Sequence, residues 1–148
     1  MHRIVTWTAC SIVFLFAGIG QAQAQFSIRA ASAEPVEGWL KMQLEHSDRT
    51  IWVAPTAAVV AGDIERAQPE IRADGDRVIS VIFTNVGANK IRDLTSAQLK
   101  KHVALVVDGR LIWAPVVQSV IGKEAVLTGN QPDGLTEEEV LRIMASLR

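Results

Sequence analysis

The run Val103-Ala104-Leu105-Val106-Val107, followed by Asp108-Gly109 and then Leu111-Ile112-Trp113, constrains this chain more than any other segment. Asp-Gly between two β-prone runs predicts a two-residue hairpin, because both central positions of a type I′ turn need positive φ. An apolar run without alternation predicts a strand buried on both faces, so the hairpin is expected in the middle of a sheet. Pro115 ends its second arm, since proline cannot donate to a ladder.

The rest of the patterning predicts an α+β fold, a single domain with a mixed, mostly antiparallel sheet and two main helices on one face. Residues 26–30 alternate as a first strand, and residues 31–38, with Pro35 and Gly38, form a loop. Leu40, Met42 and Leu44 alternate with Lys41, Gln43 and Glu45, and residues 46–49 turn the chain into a partner strand over residues 50–54. A short helix is expected over residues 62–66, then strands over 67–73 and 78–84 around Asp74-Gly75-Asp76. Residues 86–102 read as helical, with Ala88, Ile91 and Leu94 inward and a restart at Thr95-Ser96-Ala97-Gln98. A strand near residues 125–128 precedes the last helix. There Thr136 and Glu139 have capping-box spacing, Val140, Met144 and Leu147 form the buried stripe, and Arg142 and Arg148 suit the C-terminal dipole.

Met1-His2-Arg3, an apolar stretch over residues 4–19 and Ala22-Gln23-Ala24 have the form of a cleaved secretory signal, so residues 1–24 are expected to leave. Residues 25–148 then form the mature domain, 124 of the 148 residues, enough for a core without disulfide or metal. Cys10, the only cysteine, departs with the signal, which leaves a thiol-free chain suited to the periplasm. Losing Arg3 takes the 15 Lys and Arg to 14 against 16 Asp and Glu, a balance that gives no reason to expect nucleic acid. No second apolar stretch is long enough to span a bilayer, so no membrane insertion is expected after cleavage.

Several of these landmarks together resemble the head subdomain of the first periplasmic region of SecD/SecDF, the membrane-integrated accessory subunit of the Sec export machinery. They are Leu105-Val106-Val107-Asp108-Gly109, Ala114-Pro115-Val116-Val117, Gly122, Thr128-Gly129-Asn130 and Thr136-Glu137-Glu138-Glu139. Phe26-Ser27-Ile28-Arg29, Ile51-Trp52-Val53 before Pro55, and Thr84 with Gly87-Ala88 extend the likeness over nearly all of the mature chain. The resemblance implies a polypeptide-handling role in protein export. Two departures limit what it implies. Gln131-Pro132-Asp133-Gly134-Leu135 stands where the family passes almost directly into the helix. The base subdomain, second periplasmic domain and channel bundle of the family proteins have no counterpart in this sequence, so a proton-driven motor role does not transfer.

No residue pattern here predicts catalysis, a cofactor or a metal. His46 and His102 lack HxxxH, HExxH or Cys-pair spacing and read as solvated, one in a polar turn and one at a helix end. Ser80, Ser96 and Ser119 lack a GxSxG context, and the Glu137-Glu138-Glu139 run is explained by a capped helix start. A fold that gathered both histidines with acidic groups in one pocket counts against this reading.

The expected function is therefore that of a soluble periplasmic binding module, its partner an exported or unfolded polypeptide or an envelope protein. A peptide strand would add to an exposed edge, with Trp52, Leu111 and Trp113 as contact residues. Trp52 is out of phase with Ile51 and Val53 and is expected on the opposite face of its strand. The same tryptophans also suit a core. Two alternatives stay open: a structural or inhibitory partner of one envelope protein, contacted through Gln131, Asp133 and Leu135, and a small periplasmic enzyme.

Overall fold

The computed structural model describes residues 25–130 and 134–148. The expected signal segment and residues 131–133 lie outside them. Among the described residues, nine strands and two helices form an α+β domain in which every named strand pair is antiparallel. The expected single sheet is divided into two.

The larger sheet is built from β1 (Phe26–Ser32), β2 (Leu40–Gln43), β3 (Thr50–Val53), β7 (His102–Val107) and β8 (Arg110–Trp113), in the order β2-β3-β1-β7-β8. The two-residue strand β4 (Val59–Val60) pairs with the start of β1. The ends of this sheet meet. Leu44, just beyond β2, bridges Leu111 in parallel, and Glu45 N donates to Leu111 O at 3.0 Å. The sheet thus curls into a small barrel filled by Ala31, Leu44, Ile51, Val53, Ala104, Val106, Leu111 and Ala114.

The second sheet, β5 (Ile64–Ile71), β6 (Arg77–Phe83) and β9 (Glu124–Leu127), lays Ile79, Val81, Phe83 and Leu127 against the outer face of the barrel. Both helices close this larger core. α1 (Asn85–Ala97) contributes Ala88, Ile91 and Leu94, and α2 (Glu137–Ser146) contributes Ile143.

The hairpin forms as its turn chemistry requires, with Asp108 at φ 52° and Gly109 at φ 77°. Its position differs from the expectation. β7 is interior, but β8 ends the strand order, where Leu44, Glu45 N and Asn130 Nδ2 cover Leu111 and Ile112. Burial of β7 on both faces holds, since Val103, Leu105 and Val107 enter the larger core and Ala104 and Val106 the barrel.

Three local expectations give way to tertiary contacts. Residues 61–63 make a 3-10 turn and β5 begins at Ile64, where a helix over 62–66 was expected. Asp63 drives the change: its carboxylate accepts from Val60 N at 3.0 Å and from Lys90 Nζ at 3.0 and 3.1 Å. Thr95 caps no new helix. Its buried hydroxyl donates to Ile91 O at 2.7 Å and accepts from Ile121 N at 3.0 Å, so α1 ends at Ala97 and His102 opens a strand. In α2 the capping box forms, with Glu139 N to Thr136 Oγ1 at 3.1 Å and Thr136 N to Glu139 Oε2 at 2.9 Å. The innermost residue there is Ile143, while Val140, Met144 and Leu147 are partly buried around it.

Gly87 is the most closely packed of the described glycines. A Cβ at this position lies 2.3 Å from Asp63 O, so α1 reaches the 3-10 turn only without a side chain. Gly87→Ala is expected to destabilise the domain by about 1–3 kcal/mol, the usual cost of overpacking. Urea unfolding followed by tryptophan fluorescence checks this, with a lowered midpoint and an unchanged slope expected.

Candidate functional site

The seam between barrel and α2 opens as a cleft of about 840 Å³. One wall is the turn after β2, carrying Glu45, His46 and Arg49. Trp113 at the end of β8 forms the floor with Pro115 and Val116 just beyond it, and His102 lies beside them. The far wall is Thr128-Gly129-Asn130 after β9 and then Thr136 and Glu139 at the start of α2. Three of the motifs singled out in the sequence therefore converge here.

Local chemistry explains why these residues meet. Gly129, at φ 73°, has Gly134 C and Leu135 N each 2.8 Å from where a Cβ would stand, so only glycine lets the loop fold back on itself. Asn130 O accepts from Gly134 N at 3.0 Å, and Asn130 Nδ2 donates to Ile112 O at 3.1 Å, which ties this loop to β8. His102 Nδ1 lies 2.8 Å from Ala114 O. A carbonyl only accepts, so Nδ1 carries the proton and Nε2 keeps the lone pair in the neutral ring.

Charge is concentrated on one side. Arg142 Nη1 donates to both oxygens of Glu45, at 2.9 and 3.1 Å, and its Nη2 donates to Glu138 one turn earlier. Arg110 reaches Glu45 Oε1 at 3.4 Å. Burial alone lowers the Arg142 pKa, but hydrogen bonds and charge from Glu45, then Glu138, outweigh it and hold the guanidinium above its ordinary value. The pair fastens α2 to the barrel. His46, at φ 57°, points Nε2 toward Glu139 Oε1 at 4.0 Å.

A second, apolar hollow of about 240 Å³ lies between the sheets, lined by Phe83, Ile91, Leu105, Val117 and Ile121. Trp113 borders both hollow and cleft, packed partly on the larger core.

The expected contact residues fall in different places. Trp113 is half-buried at the cleft. Trp52 pairs across from Lys41 and Ser32 and is absent from the barrel interior that Ile51 and Val53 help fill, so it sits on the outer face as its phase implied. Leu111 is 1% exposed inside the barrel and offers no surface for a peptide, a correction that comes from the Leu44 bridge covering β8. Leu135 is likewise 1% exposed and belongs to the larger core, so it is not a loop contact. Gln131 and Asp133 lie outside the described residues.

The cleft also gathers His46 and His102 with Glu45 and Glu139, the arrangement that counts against a purely binding role. The groups are largely committed to structural bonds. Glu45 is held by Arg142, Glu139 Oε2 by Thr136 N and His102 Nδ1 by Ala114 O. Ser47 Oγ accepts from Arg49 N at 3.1 Å, and among the described residues no base lies within hydrogen-bond reach of it. Sequence reasoning missed the Glu45–Arg142 and His46–Glu139 pairs. Only the i, i+4 spacing of Glu138 and Arg142 was readable.

Residues 38–145 match the family model described as SecDF, P1 head subdomain. The chain belongs to that family. Protein translocase subunit SecD of Syntrophobacter fumaroxidans is 30% identical over 130 residues, covering 76% of this chain and 24% of that protein. SecD of Magnetococcus marinus is 33% identical over 86 residues, covering 57% and 16%. SecDF of Thermus thermophilus is 33% identical over 72 residues, covering 48% and 10%. The chain thus spans a quarter or less of these curated relatives. The fold matches SecDF in its super-membrane-facing form with a TM-score of 0.60 at 21% identity, covering 84% of this chain and 18% of that one. It also matches a structure described as a membrane component SecDF that enhances protein export, with a TM-score of 0.61 at 21% identity, covering 84% and 62%. Among the described residues no helix is long and apolar enough to cross a membrane.

The Arg142–Glu45 pair gives a direct test of how the cleft is held. Arg142→Met should cost about 1–3 kcal/mol, the range for a charge-assisted hydrogen bond lost from a half-buried partner. A double-mutant cycle with Glu45→Gln should show coupling of about 1 kcal/mol by thermal unfolding.

Proposed function

We propose that this SecDF head-family domain is a periplasmic binding module that holds short segments of exported or unfolded polypeptide, working as residues 25–148 after removal of a leader. The observation that carries the reading is the place of Trp113, whose indole borders a polar cleft on one side and an apolar hollow on the other. Such a boundary suits a chain segment of mixed sequence. Backbone amides find acceptors along the cleft, while an apolar side chain enters beside Trp113.

The exposed edge of β9 adds a second means of attachment. β9 ends the order β5-β6-β9, and its Val126 and Leu127 line the hollow. A peptide strand added there gains ladder hydrogen bonds and delivers alternate side chains to the hollow. The names of the relatives agree with such a role, since SecD and SecDF are protein translocase subunits. A binding role also accords with the structural bonds already made by Glu45, Glu139 and His102.

Titrating reduced, unfolded polypeptide into the purified protein should give saturable heat and a shift in tryptophan emission. Trp113→Ala should weaken binding about tenfold, the loss expected of a central aromatic anchor. Trp52→Ala, outside cleft and hollow, should change it less than about twofold. Absence of heat with several unfolded substrates would rule the reading out. Turnover of any member of a hydrolase substrate panel would favour an enzyme instead.

A further inference from the structure

We propose, resting on the peptide-holding role, that the backbone of Val116 is the edge on which one extended polypeptide segment pairs, and that this segment alternates apolar and polar side chains.

The chain keeps pairing with β7 after β8 ends. Past the register shift Trp113 stands opposite Leu105, and Val116 then stands opposite His102. Val103 N donates to Pro115 O at 3.0 Å and Val117 N donates to Lys101 O at 2.8 Å, so both neighbours of Val116 bond toward β7. Antiparallel pairing alternates, and the N–H and C=O of Val116 therefore point away from β7. Ala114 shares that phase, but its carbonyl is taken by His102 Nδ1 at 2.8 Å. Among the described residues neither backbone group of Val116 meets a protein partner. Earlier on the same edge Glu45 N bonds Leu111 O and Asn130 Nδ2 bonds Ile112 O. The edge opens at Val116, which is 39% exposed.

The two faces of this edge differ. Val103 and Val117 belong to the larger core, whereas His102 lines the cleft, and Val116 shares the face of His102 as its partner across the pair. Val116 borders both the cleft and the apolar hollow. A strand paired with it continues both faces. Alternate side chains enter the hollow beside Phe83, Ile91 and Leu105, and those between them meet Glu45 and Asn130 in the cleft. A segment that is apolar or polar throughout suits one face and not the other. The edge of β9 is the competing place, with Val126 exposed on it. Val116 is favoured because β9 lines the hollow without reaching the cleft.

The test is amide exchange with solvent, read residue by residue by NMR on the purified protein. The probe is a short capped peptide in which leucine and threonine alternate between terminal lysines. At saturation the Val116 amide should exchange at least about tenfold more slowly, as a ladder amide does. A peptide of the same composition, with leucines and threonines in separate blocks, should bind about tenfold more weakly. Binding that leaves Val116 unchanged overturns the proposal, and slowed exchange at Val126 in its place keeps the peptide-holding role with β9 as its edge. Equal affinity for the blocked peptide overturns the alternation. Failure to bind the alternating peptide, in a protein that still takes up reduced, unfolded polypeptide, overturns the proposal alone. Protection of Val116 that rises with protein concentration in the absence of peptide makes a second copy the occupant, which also overturns it. If neither peptide nor unfolded polypeptide binds, the peptide-holding role falls and the proposal with it.

Discussion

Everything in this structure depends on β7 being apolar on both faces. Val103, Leu105 and Val107 pack under the second sheet and the helices, while Ala104 and Val106 fill the barrel. Alternate side chains point to opposite faces, so a slip of one residue exchanges the two sets and places large residues where alanine fits. The register is pinned at one end by the Asp108-Gly109 turn, where Asp108 also pairs with Gln25 through its backbone and its carboxylate. It is pinned along the strand by six paired positions with β1. Two cores sharing one strand cannot rearrange independently, and the seam between them is correspondingly fixed.

The cleft lies on that seam, and this explains its composition. Elements meeting from two cores bring their ends rather than their faces. The lining therefore draws on turn, cap and loop residues, His46 after β2, Pro115 after β8, Gly129 after β9 and Thr136 before α2, beside the terminal strand residues His102 and Trp113 and the first-turn Glu139. Strand and helix ends carry backbone groups outside the regular ladders, which makes such a seam polar. Arg142 then crosses it, satisfying Glu45 and Glu138 at once and setting the separation of its walls.

Local chemistry made much of this legible. Asp108-Gly109, the Thr136–Glu139 box and the Asp74-Gly75-Asp76 turn form as their residue types require, because each depends on neighbours a few positions away. The readings that failed depend on distant partners. Asp63 turns the chain because Lys90 meets it, and Thr95 sits inside a helix end because Ile121 uses its hydroxyl. Leu111 looked like an available edge residue until Leu44 came to cover it, and Leu135 looked like loop until Ile143 and the second sheet enclosed it. His46 and Glu139 come within 4.0 Å of each other from separate elements, a meeting that no local spacing announces.

Trp113 shows how the two kinds of surface come to adjoin. Its partner across the hairpin is Leu105, which faces the larger core, so phase alone directs the indole to that side. The register shift between Leu105 and Val106 places an irregularity at this pairing. Irregular pairing bends a strand and re-aims its side chains, and such sites gather beside functional surfaces. Here the chain then leaves β8 through Ala114-Pro115, where proline forbids one ladder bond, and returns to pair with the start of β7 at His102 and Val116. The excursion leaves the indole with one side in the apolar hollow and its rim in the cleft. A fully regular hairpin would have buried the ring or exposed it. The bulge and the proline together keep it at the boundary between hollow and cleft.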